Sequence, residues 1–60
     1  MEASLPTVLV VDDDADLREL LVHYLGGNGL RVVSVPDGPA MRAAIDRARP
    51  DVIVLDLMLP

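Results

Sequence analysis

Two short apolar runs, Val8-Leu9-Val10-Val11 and Val52-Ile53-Val54-Leu55, constrain this chain more than anything else in it. With Thr7, the first is a continuous β-branched and leucine segment, the pattern of a strand buried on both faces. Both runs lead straight into aspartate. The first meets Asp12-Asp13-Asp14; the second meets Asp56 and then Leu57-Met58-Leu59-Pro60. As neighbouring parallel strands they would bring at least three carboxylates to one point on the surface. Like charges at close range repel, so no fold needs that cluster for stability. A bound cation and chemistry on one of the acids explain it best.

The residues between the runs alternate helix and strand signals. Leu17, Leu20, Leu21, Tyr24 and Leu25 follow the i, i+3, i+4, i+7, i+8 spacing of one helical face, which makes Tyr24 part of the core stripe. Asp14 or Asp16 can cap that helix, and Asp16 with Glu19 fits a capping box in which aspartate replaces serine or threonine. Gly26-Gly27-Asn28-Gly29 ends it with residues that tolerate positive φ. Leu30 to Val35 predicts a second strand, and Pro36-Asp37-Gly38-Pro39 a turn with Pro39 at the start of a second helix. That helix carries Met41, Ala44, Ile45 and Ala48 on one face, and Pro50-Asp51 stops it. A third strand is expected over Val52 to Leu57. The order is β-α-β-α-β, an α/β class, with each crossover parallel and right-handed. In open sheets of this kind ligands bind at the carboxyl ends of the strands, which is where Asp12, Asp13 and Asp56 fall.

Sixty residues make one domain at most, and a chain this short buries only about 60% of its unfolded surface. With no cysteine there is no disulfide, thiolate metal site or cysteine nucleophile. The apolar fraction of 52% excludes a disordered chain, and no apolar stretch approaches the roughly 20 residues of a membrane span. The start, Met1 to Pro6, lacks the basic and apolar regions of a signal peptide. These features predict a soluble cytoplasmic protein without membrane contact. Net charge is −5, and all five basic residues are arginines without a basic cluster, so this segment is not expected to bind nucleic acid.

A hard cation such as Mg²⁺ takes oxygen ligands, usually one or two carboxylates with waters and substrate phosphate oxygens. Asp13, Asp56 and a backbone carbonyl just past Asp56 can provide such a half-shell. Phosphoryl transfer depends mostly on positioning and charge neutralisation, and a carboxylate can be the nucleophile, forming an aspartyl-phosphate. Helix capping accounts for Asp14 and Asp16 but not for Asp56, which closes a strand with no helical pattern after it. A calcium EF-hand loop beginning at Asp12 fails, because its sixth position is Leu17 and its twelfth is His23. The Asp12-Asp13-Asp14 run also resembles the Asp-x-Asp of haloacid-dehalogenase-like phosphatases, although Asp16 stands where those carry threonine or valine. His23 lies off the apolar stripe with no second histidine, and is read as an ordinary helix residue. Met58 and Leu59 are read as packing residues, with only the Met58 carbonyl of interest.

Taken together, Val8 to Asp14, the Leu17-to-Leu25 helix, Val35-Pro36-Asp37-Gly38 and Pro50 to Pro60 resemble the first half of a response-regulator receiver domain. These are the phosphoacceptors of bacterial two-component signalling, and the closing Leu-Asp-Leu-Met-Leu-Pro is most similar to regulators that carry a winged-helix DNA-binding domain. The resemblance implies a flavodoxin-like doubly wound sheet, of which this chain would hold strands in order 2-1-3. It implies that Asp56 is the phosphoacceptor, that Asp13 binds Mg²⁺ directly and Asp12 through water, and that Met58 gives its carbonyl. It further implies a sensor histidine kinase as donor, self-catalysed transfer rather than a free-standing enzyme, and a downstream output domain for transcription regulation. The family's hydroxyl and lysine groups on the fourth and fifth strands have no counterpart here.

Residues 7–60 are therefore expected to form a partial receiver behind a flexible stretch at 1–6. An isolated 2-1-3 sheet leaves its third strand as an apolar edge, the kind that seeks pairing. That predicts self-association or a missing second half, and little phosphorylation of the 60 residues alone. A degenerate receiver serving only as a protein-interaction module stays open as an alternative.

Overall fold

The computed structural model describes residues 5–56. Five elements follow in the expected order: β1 (Thr7–Val11), α1 (Ala15–Gly26), β2 (Arg31–Val35), α2 (Gly38–Ala48) and β3 (Val52–Leu55). The three strands are parallel in the order β2-β1-β3, with Val11 beside both Val35 and Leu55. The first crossover moves one way along the sheet and the second moves back past β1. With right-handed connections, that reversal puts the two helices on opposite faces.

β1 is buried along its whole length because it has a strand on each side and a helix over each face. Leu9 and Val11 point to one face, where they pack with Val35 and Ala44 and with the half-buried Val33, Ala40, Met41 and Ile45. Val8 and Val10, one residue out of phase, are buried on the side that α1 covers. Both ends of β1 are tied to its neighbours. At the start, the Thr7 N–H donates to Asp51 Oδ2 and the Asp51 N–H donates to the Thr7 carbonyl, each at 2.8 Å. The Arg31 N–H donates to the Pro6 carbonyl at 2.8 Å, so the ladder begins before the first strand residue. Leu9 is completely buried. Leu9→Ala is therefore expected to cost roughly 2–5 kcal/mol, read as a shift of the urea midpoint of the intact native protein. A loss under about 1 kcal/mol would contradict this placement of the core.

The helix boundaries follow from capping. Asp14 Oδ1 accepts from the N–H groups of Asp16 and Leu17 at 3.0 and 3.2 Å, which makes Asp14 the N-cap of α1. The expected Asp16–Glu19 capping box does not form, because Asp16 already lies inside the first turn. Asp37 caps α2 through the Ala40 N–H at 2.9 Å, with Pro39 in the first turn, where its missing donor costs nothing. In the glycine-rich turn after α1 it is Gly29 that needs its freedom, at φ 81°.

The stripe assigned to α1 is corrected. No residue of this helix is fully buried, and Leu17, Leu20 and Tyr24 are exposed, the last two by more than 60%. The half-buried positions are Arg18, Leu21, Val22 and Leu25, also spaced i, i+3, i+4, i+7. α1 thus carries two apolar flanks, and the one facing the sheet includes an arginine and a valine that the leucine spacing passes over.

β3 differs from β1. All four of its residues are exposed, and it touches β1 but neither helix. It ends at Leu55, where Val52 to Leu57 was expected; Leu57 lies outside the described residues, as does most of the 1–6 stretch. No described helix is long and apolar enough to cross a membrane.

Candidate functional site

The carboxyl ends of β1 and β3 continue their ladder into the acids. The Asp12 N–H donates to the Val35 carbonyl at 3.1 Å, and the Asp56 N–H donates to the Val11 carbonyl at 3.0 Å. The backbone that closes the sheet therefore sets Asp12 and Asp56 side by side, one residue beyond the Val11–Leu55 pair. Asp13 follows at the first free turn of the chain. One carboxylate oxygen from each of Asp12, Asp13 and Asp56 lies within 4.8 Å of the other two. Asp12 is buried, Asp56 half-buried and Asp13 exposed.

Asp12 is held on every side. Its Oδ1 accepts from the Asp14 N–H at 2.9 Å, and its carbonyl accepts from Arg18 Nη1 at 2.7 Å. With one oxygen committed to the turn, Asp12 is less free to ligate than Asp13 and Asp56. Asp14 stands apart from the cluster as the N-cap of α1, Asp16 lies in the first turn of that helix, and His23 is an exposed helix residue outside it. Met58 lies outside the described residues, so its carbonyl is not placed. Arg18 was missed at the sequence level, because its acceptor is a backbone carbonyl and its half-buried position is set by the sheet.

The donor set is hard oxygen throughout, which suits Mg²⁺ or a similar divalent cation rather than a soft metal. Carboxylate oxygens within 4.8 Å of one another are close enough to share one such ion, directly or through its waters.

A parallel β2-β1-β3 sheet with helices on both faces and a carboxylate cluster at its carboxyl edge defines one half of a doubly wound α/β domain, with the site at its switch point. The chain belongs to the response regulator receiver domain family, whose sequence model matches residues 8–60. Over all its residues it is 43% identical to the DNA-binding response regulator MtrA of Mycobacterium tuberculosis, covering 26% of that protein. MtrA of Mycobacterium leprae is 47% identical over 53 residues, 88% of this chain and 24% of the relative. The sensory transduction protein RegX3 of Mycobacterium tuberculosis is 44% identical over 54 residues, 90% of this chain and 24% of the relative. The chain spans about a quarter of the length of the curated relatives it matches. It is a receiver-domain segment, and the dehalogenase-like phosphatase reading falls away.

Proposed function

We propose that this segment is the phosphoacceptor side of a receiver, with Asp56 taking the phosphoryl group. The observation that carries the reading is the convergence of Asp12, Asp13 and Asp56 at the end of the central strand and its neighbour. An Asp56 carboxylate oxygen attacks phosphorus in the donor, a phosphohistidine of a sensor kinase. The phosphorus–nitrogen bond breaks, and its electron pair returns to the imidazole. Asp13 is the direct ligand of a divalent cation, Asp12 acts through water, and Asp56 with the Met58 carbonyl completes the protein's share. Mg²⁺ bound there supplies neutralisation of the charge on the transferring group. The engagement of Asp12 Oδ1 by the Asp14 N–H supports the division of labour between the two acids.

The whole protein, in this proposal, is a cytoplasmic regulator rather than an enzyme acting on free substrates. Its output domain controls transcription, as the printed name of MtrA suggests by likeness. The uncovered β3 edge supports a second half that completes the sheet.

Calorimetric titration of the intact native protein with Mg²⁺ tests the site. The wild type is expected to bind one ion, and Asp13→Ala to weaken binding at least about tenfold. Binding indifferent to Asp13→Ala, or no binding, would favour a degenerate receiver that works only through protein contacts.

A further inference from the structure

Arg18 is the charged member of the less exposed flank of α1, half-buried as Leu21, Val22 and Leu25 are. A guanidinium in that position loses hydration and needs an acceptor in return. It finds one in the Asp12 carbonyl, at 2.7 Å from Nη1, a short and charge-assisted hydrogen bond. That carbonyl belongs to the peptide unit joining Asp12 to Asp13. The unit is planar, so a donor fixed to its oxygen also fixes the direction in which Asp13 leaves the strand.

Asp12 is consequently pinned at three points: its N–H by Val35, its Oδ1 by the Asp14 N–H and its carbonyl by Arg18. The first two bonds come from the ladder and the local turn. The third alone comes from the body of α1. Asp13, exposed and two residues past the end of β1, projects from the loop these three bonds hold.

We propose that Arg18 is a positioning residue of the cation site. By clamping the Asp12 carbonyl from α1, it sets the Asp13 carboxylate where a divalent ion meets Asp13 and Asp56 together. The proposal rests on the reading of Asp13 as a cation ligand. It also has a sign that a simple charge effect does not share. Removing a positive group from the neighbourhood of a cation site would tighten binding by electrostatics alone, whereas loss of the clamp weakens it. Supporting groups of this kind are typically worth about 10–100-fold in metal affinity.

The experiment is Mg²⁺ titration of the intact native protein, wild type against Arg18→Met and Arg18→Lys, with thermal midpoints taken alongside. Methionine keeps an aliphatic stem and removes both charge and donor; lysine keeps a charged donor. Arg18→Met is expected to weaken Mg²⁺ binding about tenfold, and Arg18→Lys to recover most of that loss. Unchanged or tighter binding in Arg18→Met, or an equal loss in both variants, overturns the proposal. If Arg18→Met fails to fold, the wild type decides by NMR of the guanidinium. A slowly exchanging Nη1–H signal that shifts at the same Mg²⁺ concentration as the Asp13 amide is expected, and its absence overturns the clamp. A wild type that binds no Mg²⁺ instead removes the underlying reading of Asp13, so the two failures are distinguishable.

Discussion

Asp56→Ala is expected to abolish phosphorylation of the intact native protein by acetyl phosphate and Mg²⁺. Under the same conditions the wild type is expected to gain one phosphoryl group, seen as a single mass increment. The effect is all or none because the nucleophile itself is removed, leaving no oxygen at the end of β3 to carry the group. Geometry counts against Asp12 as a substitute, since it is buried with one oxygen held by the Asp14 N–H. Asp13 is a harder competitor, since it is exposed and within the same 4.8 Å cluster. An increment that survives Asp56→Ala would move the acceptor role to it. The pairing of Asp56 with β1 through the Val11 carbonyl argues against that outcome. It gives Asp56 a fixed backbone, whereas Asp13 depends on a turn.

The second large effect concerns the 60 residues by themselves. Val52, Ile53, Val54 and Leu55 are each more than 40% exposed, and alternate residues open to opposite faces of the sheet. An apolar strand bare on both faces and along its outer edge is a template for pairing with another chain. The isolated chain is therefore expected to sediment as dimers or larger species, whereas a longer protein that covers β3 does not use this edge. Val54→Lys, placing a charge in the middle of the edge, is expected to shift the isolated chain toward monomer. A sharply folded monomer of the unsubstituted chain would show that three strands and two helices suffice. The small core counts against that result: among the described residues, Val8, Leu9, Val10, Val11, Val35 and Ala44 are its buried apolar members, and four of these come from β1.

Those contrasts also show what a single sequence carries. The strands were legible because β-branched runs bounded by turn residues have few other uses, and the parallel order followed once helices intervened. Asp12, Asp13 and Asp56 were legible because each stands one or two residues past such a run, where an aspartate has no packing role. The sheet-facing side of α1 was not. Leucine spacing selected Leu17, Leu20, Leu21, Tyr24 and Leu25; of these Leu21 and Leu25 are half-buried, and they share that flank with Arg18 and Val22. Hydrophobic periodicity reports that a helix is amphipathic, but two overlapping apolar flanks satisfy it equally. Only the position of the sheet decides between them. Arg18 escaped for the same reason, because its partner is a backbone carbonyl and leaves no mark in the pattern of side chains.

The central claim, that Asp56 carries the phosphoryl group, is tested most directly by trapping the acyl phosphate. The intact native protein, incubated with acetyl phosphate and Mg²⁺, would be reduced with borohydride, which converts a phosphorylated aspartate to homoserine. The digest would then be sequenced by mass spectrometry. Homoserine at position 56, lost when Mg²⁺ is chelated beforehand, is the predicted result. Homoserine at position 12 or 13, or a phosphoryl group on any other side chain with Asp56 intact, would contradict it.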